Sequence, residues 1–333
     1  MAIVWQDGFD LYNNASDLAM IYYSGYATSI STTAGRFGGG AWSTTGYGLV
    51  KTIPTCAEVW SSFAFNTAST AAGDKIIGMA SSSAGEEMSI TYNPSTGVWK
   101  VWRGNAVTVL GTATAFVPIN AWHWLDIRFK LSATLGEIEV WLDEVQIISL
   151  TAQNTVQNTG QTQLVSVQIG DNSAGHAPTM SADDWFIYTP GTRLGDSRIE
   201  TLVPTSDAGT NNGTPSTGTN HYAVVDEAQF NTTDYITMPN TSGDKETFGH
   251  GALVNTPTTI YSVAVKMVSQ KSDAGAFYIE PLVVSSGTEG DGASASLTTS
   301  WGVQSAIFET DPHTSGAWAY SAVNASSIGY KVP

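Results

Sequence analysis

The residues from Trp122 to Leu150, WHWLDIRFKLSATLGEIEVWLDEVQIISL, restrict the fold of this chain more than any other stretch. Apolar and polar side chains alternate through two runs, and a period of two marks a strand with one face in a core and the other turned outward. In the first run Leu125, Ile127, Phe129 and Leu131 share a face, while Trp124, Asp126, Arg128 and Lys130 share the other. In the second, Ile138, Val140 and Leu142 are the apolar row and Glu137, Glu139 and Trp141 lie opposite. Side chains paired across antiparallel strands lie on one face, so the loop from Ser132 to Gly136 must set a register that merges the apolar rows. Either register that does so puts Lys130 beside Glu137 or Glu139. A tight turn at Asp143-Glu144 then leads into a third run, and the stretch is expected to form a meander with one buried and one wet face.

The rest of the chain continues this texture. Strands are expected near residues 3–12 and over Val59–Phe65, Lys75–Met79, Met88–Tyr92, Val98–Arg103, Leu164–Ile169 and Trp185–Tyr188. The segment Asn93-Pro94-Ser95-Thr96-Gly97 has hairpin chemistry. Ala15–Tyr22 is the best candidate for a short helix or turn, and no longer stretch combines helical periodicity with caps. After Pro190 comes a polar, turn-rich passage, and the domain boundary is placed in it at 194/195. Further strands are expected over Tyr222–Val225, Tyr235–Met238, Ile260–Val268, Ala276–Val284, Ala295–Thr299, Gln304–Glu309 and Ile328–Val332. A chain of 333 residues exceeds the size at which one core stops growing. The expected fold is therefore all-β, with two β-sandwich (jelly-roll-like) domains in tandem: 1–194, and a smaller one over 195–333.

Charge and cysteine usage narrow the partners. Thirteen basic residues against 29 acidic ones give a formal charge of −16, which opposes any grip on nucleic-acid phosphates. Cys56 is the only cysteine, so no intrachain disulfide is possible, and no His/Cys grouping has zinc spacing. The N-terminus MAIVWQDGFD lacks the basic-then-apolar plan of a secretion signal, and no apolar run approaches the roughly 18 residues of a membrane span. Neither a membrane nor nucleic acid is expected as a partner, and synthesis is expected in a cytoplasm.

Three motifs carry a resemblance: GRFGGGAW at residues 35–42, the element HWLDIRFK…GEIEVWLDEVQI, and the closing DDWFIY at residues 183–188. Together they make the first 190 residues resemble laminin-G-like and concanavalin A-like jelly rolls. In those domains the second strand of the element usually ends in Val-Asp-Gly, whereas this chain has Leu142-Asp143-Glu144, which bears on the turn type. The whole chain, with GDSRIETLVPTSDAGTNNGTPSTGTNHYAVVDE after the jelly roll and FETDPHTSGAWAYSAVNASSIGYKV near its end, is similar to accessory structural proteins of tailed bacteriophages. That resemblance implies a non-enzymatic virion protein, displayed as capsid decoration, head fibre or tail appendage. Its implied partners are other capsid or tail proteins and further copies of itself.

Several residue groups invite a more chemical reading. Glu137 and Glu139, two apart on one strand, share a face as the acids of jelly-roll glycosidases do, yet Trp141 stands where a third acid is usual, and Arg128 and Lys130 offer cross-strand ion pairs instead. Gly195-Asp196-Ser197 matches a hydrolase nucleophile motif, but Asp311-Pro312-His313 is one residue short of the base motif such enzymes need. The four glycines within Gly35–Gly40 suit close backbone approach better than a phosphate cradle. Gly170-Asp171-Asn172 and Glu289-Gly290-Asp291-Gly292 are the places where calcium would be held if it is bound at all; neither is a dedicated loop. His123, His176, His221, His250 and His313 have no metal spacing. No catalytic residue and no metal ligand is therefore expected. For binding, Trp124 and Trp141 on the wet face, with one of Trp99 and Trp102, are the aromatics that would stack on a sugar ring of a host glycan, burial in an interface being the other outcome for them.

Overall fold

The structure, a computed structural model, describes residues 2–24, 28–68, 74–81, 85–171 and 179–333. Its chain divides into two compact units, Met1–Ile199 and Glu200–Pro333. Both are built of β-structure, as the alternation predicts, and form β-sandwich-like domains.

In the first unit one sheet runs, in spatial order, β13 (Val145–Gln153), β12 (Gly136–Leu142), β11 (Trp122–Lys130), β6 (Glu58–Thr67), β15 (Thr179–Thr189), β4 (Ala41–Thr45) and β3 (Thr28–Ser31), with β1 (Ala2–Asp7) also paired to β15. The second runs β10 (Thr108–Thr114), β9 (Val98–Arg103), β8 (Gly85–Asn93), β7 (Asp74–Ser81), β14 (Leu164–Ile169), β5 (Leu49–Cys56) and β2 (Tyr23–Ser24). All these pairings are antiparallel. The apolar rows meet between the sheets: Phe65 of β6 sets its ring edge-on to Trp99 of β9 at 6.2 Å, and Trp99 packs on Tyr92 at 4.5 Å. The expected helix is a single turn, α1 (Ala15–Leu18), capped by Asn14, whose side chain accepts from the Ser16 amide.

The meander has the register that the apolar rows demand. Lys130 faces Glu137, Arg128 faces Glu139, and Leu125, Ile127 and Phe129 face Leu142, Val140 and Ile138. At the next turn both Asp143 and Glu144 have positive φ, 46° and 69°, as a two-residue turn of the mirror-image type requires. Glycine would adopt this without strain, and two carboxylates accept a cost of about 1–3 kcal/mol each. Both side chains are used: Asp143 accepts from the Trp124 amide at 2.8 Å, and Glu144 receives the Asp196 amide at 2.7 Å as well as the Arg193 guanidinium.

The glycine run wraps against its own sheet. The Gly40 amide donates to Asp10 at 2.6 Å and the Arg36 amide to Asp183 at 2.8 Å. A Cβ on Gly40 would run into the Phe9 carbonyl, so close backbone approach is the reason for glycine there.

The second unit has one sheet in the order β16 (Pro204–Asn211), β19 (Lys245–His250), β25 (Ser327–Lys331), β21 (Tyr278–Ser285) and β22 (Thr288–Asp291), with β23 (Ala295–Ser296) on β21. Two short pairs accompany it, β17 (Thr214–Pro215) with β18 (Ile236–Thr237), and β20 (Val263–Ser269) with β24 (Gly302–Phe308). The core joins Val265 of β20 and Val283 of β21 with Trp318 and with Val323 of the short helix α2 (Tyr320–Asn324). One expectation fails in this unit: Tyr222–Val224 is a 3₁₀ turn and not a strand, because the amides of His221 and Tyr222 are drawn to the Asp207 carboxylate. The polar passage after Pro190 holds a strand, since from Pro204 its backbone pairs with β19 whatever its side chains are.

Candidate functional site

The face expected to be wet on the first sheet is largely closed. Trp124 is 1% exposed, with the Phe186 ring 6.4 Å away and the Arg36 guanidinium 5.5 Å from its own. Trp60 is also buried and lies parallel to Tyr188 at 5.9 Å. The cover is the segment 193–199. Arg193 donates to Asp126 at 2.7 Å and sits 4.6 Å from the Trp141 ring centre; the Leu194 amide reaches the Tyr188 hydroxyl, and the Ile199 amide reaches Asp184. Asp126 is fully buried; burial pushes its carboxyl up, while hydrogen bonds from Ser62 and Arg193 pull it back. Of the two tryptophans proposed for stacking, Trp124 is thus withdrawn from solvent, and Trp141 is half-buried beside Arg193, its indole nitrogen donating to Glu139.

The other groups also have structural partners. Glu137 and Glu139 are ion-paired to Arg128 at 2.8 Å, and Glu137 also to Lys130. Ser197 Oγ donates to the Gly195 carbonyl, and Asp196 forms a double hydrogen bond with Arg36. Asp171 faces Lys75, and Glu289 and Asp291 are paired to Lys331, Glu289 also to Lys245. Asn172 and His176 lie outside the described residues. Among the described residues no group of three or more His, Cys, Asp or Glu could hold a metal ion.

The outer face of the second sheet differs. Partners in register share a face, so Val109, Trp102, Ser89, Gly78, Gln168 and Val50 form one row across β10, β9, β8, β7, β14 and β5. The adjacent row is Thr112, Lys100, Thr91 and Lys75. Trp102 is half-buried, and its indole nitrogen donates to Thr91 Oγ1 at 2.9 Å, which fixes the ring on the sheet. Lys100 places its ammonium 5.4 Å from that ring centre, a contact of about 0.5–1 kcal/mol at an accessible position. Gly78 leaves a gap in the first row, and Glu86 reaches over it to Lys75 at 2.7 Å. Lys75 is buried between Glu86 and Asp171, and burial raises the Glu86 carboxyl against the pull of Lys75.

The alternation of VWKVWR already puts Lys100 and Trp102 on one face, so this pair was readable from the sequence. The meeting of Lys75, Glu86 and Asp171 was not, because it depends on β-bulges in the β7–β8 pairing and on a strand nearly ninety residues later.

No family model matches this chain, and no curated protein matches it. Solved structures give partial matches. Alginate lyase Aly36B is 10% identical over 60% of this chain and 100% of its own, with a TM-score of 0.40. A conserved carbohydrate esterase from the Shiga toxin-encoding bacteriophage phi24B is 15% identical over 56% of this chain and 97% of its own, TM-score 0.38. The carbohydrate binding module CBM66 from Bacillus subtilis is 7% identical over 50% and 95%, TM-score 0.32. The match to Trypanosoma rangeli sialidase spans only 26% of that protein. Most of these matches are carbohydrate-active enzymes, and the expectation of a non-enzymatic chain is withdrawn.

Proposed function

We propose that the first unit binds a glycan on the outer face of its second sheet, with Trp102 as the stacking platform. One observation carries this reading: a half-buried indole whose only polar atom is already satisfied by Thr91, so that the ring is fixed on the sheet before a ligand arrives. A sugar ring stacked there gains apolar contact without ordering the side chain, and the half-buried Gln168 supplies a polar group in the same row. The solved structures of like fold include proteins named for acting on or binding carbohydrate, which agrees with this reading. A glycan array probed with the intact chain tests it: binding that Trp102→Ala removes supports it, and binding indifferent to that change refutes it. Incubation of every bound glycan with the chain, followed by a reducing-end assay, tells turnover from binding alone.

The setting proposed for this surface is a tailed-bacteriophage particle, in contact with capsid or tail proteins and with further copies of the chain. Its support is the whole-chain resemblance in sequence texture. Mass spectrometry of purified virions is the test, and absence of the chain from particles refutes this placement.

A further inference from the structure

We infer that the sugar stacked on Trp102 carries a carboxylate, as a uronic or sialic acid does, and that Lys100 is the group that selects it; this rests on the binding reading above. Lys100 belongs to a chain of net charge −16, in which at least four of the eight lysines are ion-paired to carboxylates. Lys75 holds Glu86 and Asp171, Lys130 holds Glu137, Lys245 holds Glu289, and Lys331 holds Glu289 and Asp291. Among the described residues Lys100 has no carboxylate within 4.0 Å, and its one directed contact is the Trp102 ring. Its neighbours across the strands, Thr91 and Thr112, are neutral. An ammonium that holds only a ring face has the weaker of the two interactions open to it. A sugar that takes over the ring face displaces the ammonium, and a carboxylate on that sugar then recaptures it as a charge-assisted hydrogen bond. Both groups stand two residues apart on one face of β9, so a single pyranose can engage them together.

The same overall charge sets the limit of the ligand class. A densely charged polyanion meets repulsion from the whole chain, whereas one carboxylate among neutral sugars needs only the local cation. The preferred ligand is therefore a mostly neutral oligosaccharide with one acidic residue.

The experiment is an array in which each acidic oligosaccharide stands beside its methyl ester, which removes the charge and keeps the shape, followed by titration calorimetry on the best pair. The acid is expected to bind about tenfold more tightly than its ester, and Lys100→Gln to bring that ratio toward one. Equal binding of acid and ester, or an undiminished ratio in Lys100→Gln, overturns the inference while the glycan reading stands. No binding by the folded chain, or binding that Trp102→Ala leaves intact, overturns both. Preference for fully charged polyuronates over singly charged chains overturns the ligand class.

Discussion

Arg193→Met is the most direct probe of what holds the segment 193–199 onto the first sheet. Methionine keeps much of the stem that packs on Trp141 and removes the charge that meets Asp126. The Asp126 side chain is 0% exposed and that of Arg193 is 21% exposed, so this pair lies mostly out of water. Removing one partner of a buried pair costs about 3–5 kcal/mol, because the other charge is left without compensation. Ser62 still donates to Asp126 at 2.5 Å, which places the cost at the lower end, about 3 kcal/mol. The lost contact with Glu144, half-exposed, adds at most about 1 kcal/mol. For a domain of this size each kcal/mol moves the midpoint by about 2–4 °C, so the first unit is expected to melt about 6–16 °C earlier. Differential scanning calorimetry of the intact chain at pH 8 measures it. The sign with pH is a second check. In the variant the folded-state carboxyl of Asp126 lies still further above its unfolded value; the deficit is full when it is ionised and shrinks as pH falls and the carboxyl takes up its proton. In an Asp126→Asn background the same change should cost about 1 kcal/mol or less. A fall of under about 2 °C, or an equal fall in both backgrounds, refutes the reasoning.

Further outcomes follow from other parts of the structure. Burial pushes the carboxyls of the adjacent Asp183 and Asp184 up together; the stability that their protonated forms allow, full at low pH, is lost as pH rises through their raised range, so the first unit should melt several degrees lower at pH 8.5 than at pH 5.5, and Asp183→Asn should lessen that slope in calorimetric scans without removing it. Gly40→Ala forces a methyl group against the Phe9 carbonyl and should destabilise the first unit by about 1–3 kcal/mol, read from denaturant midpoints. In the second unit Glu246 is fully buried and accepts from the Gly213 amide and His221; Glu246→Ala should cost about 1–3 kcal/mol, seen as an earlier second transition in urea. Trp102→Ala should abolish glycan binding while moving the melting midpoint by no more than a few degrees, since the indole is only half-buried.

The parts of the candidate site differ in how far they were legible. Lys100 and Trp102 could be placed together because they are two apart on one strand, and strand periodicity is local. Trp124 and Trp141 were placed outward by the same rule, and they do lie on the outer side of their sheet. What the rule could not see is that residues 193–199 cross over that side, through contacts such as Arg193 with Asp126 that span 67 residues. The turn at Asp143-Glu144 shows the same division. Glu in place of Gly is a departure within the strand pair alone, and finds its reason only when Arg193 and Asp196 arrive to use the carboxylate.

By itself, then, the amino-acid order determined the strand texture and the Trp122–Leu150 register, because which face a side chain takes depends only on neighbours one and two positions away and on merging apolar rows. It also determined that a −16 chain with one cysteine must rely on packing and strand pairing. Only the tertiary structure decided which outward side chains are covered. Coverage of a sheet depends on where distant chain returns, and the return of residues 193–199 closed over Trp124, whereas Trp102 and Lys100 remain half-buried.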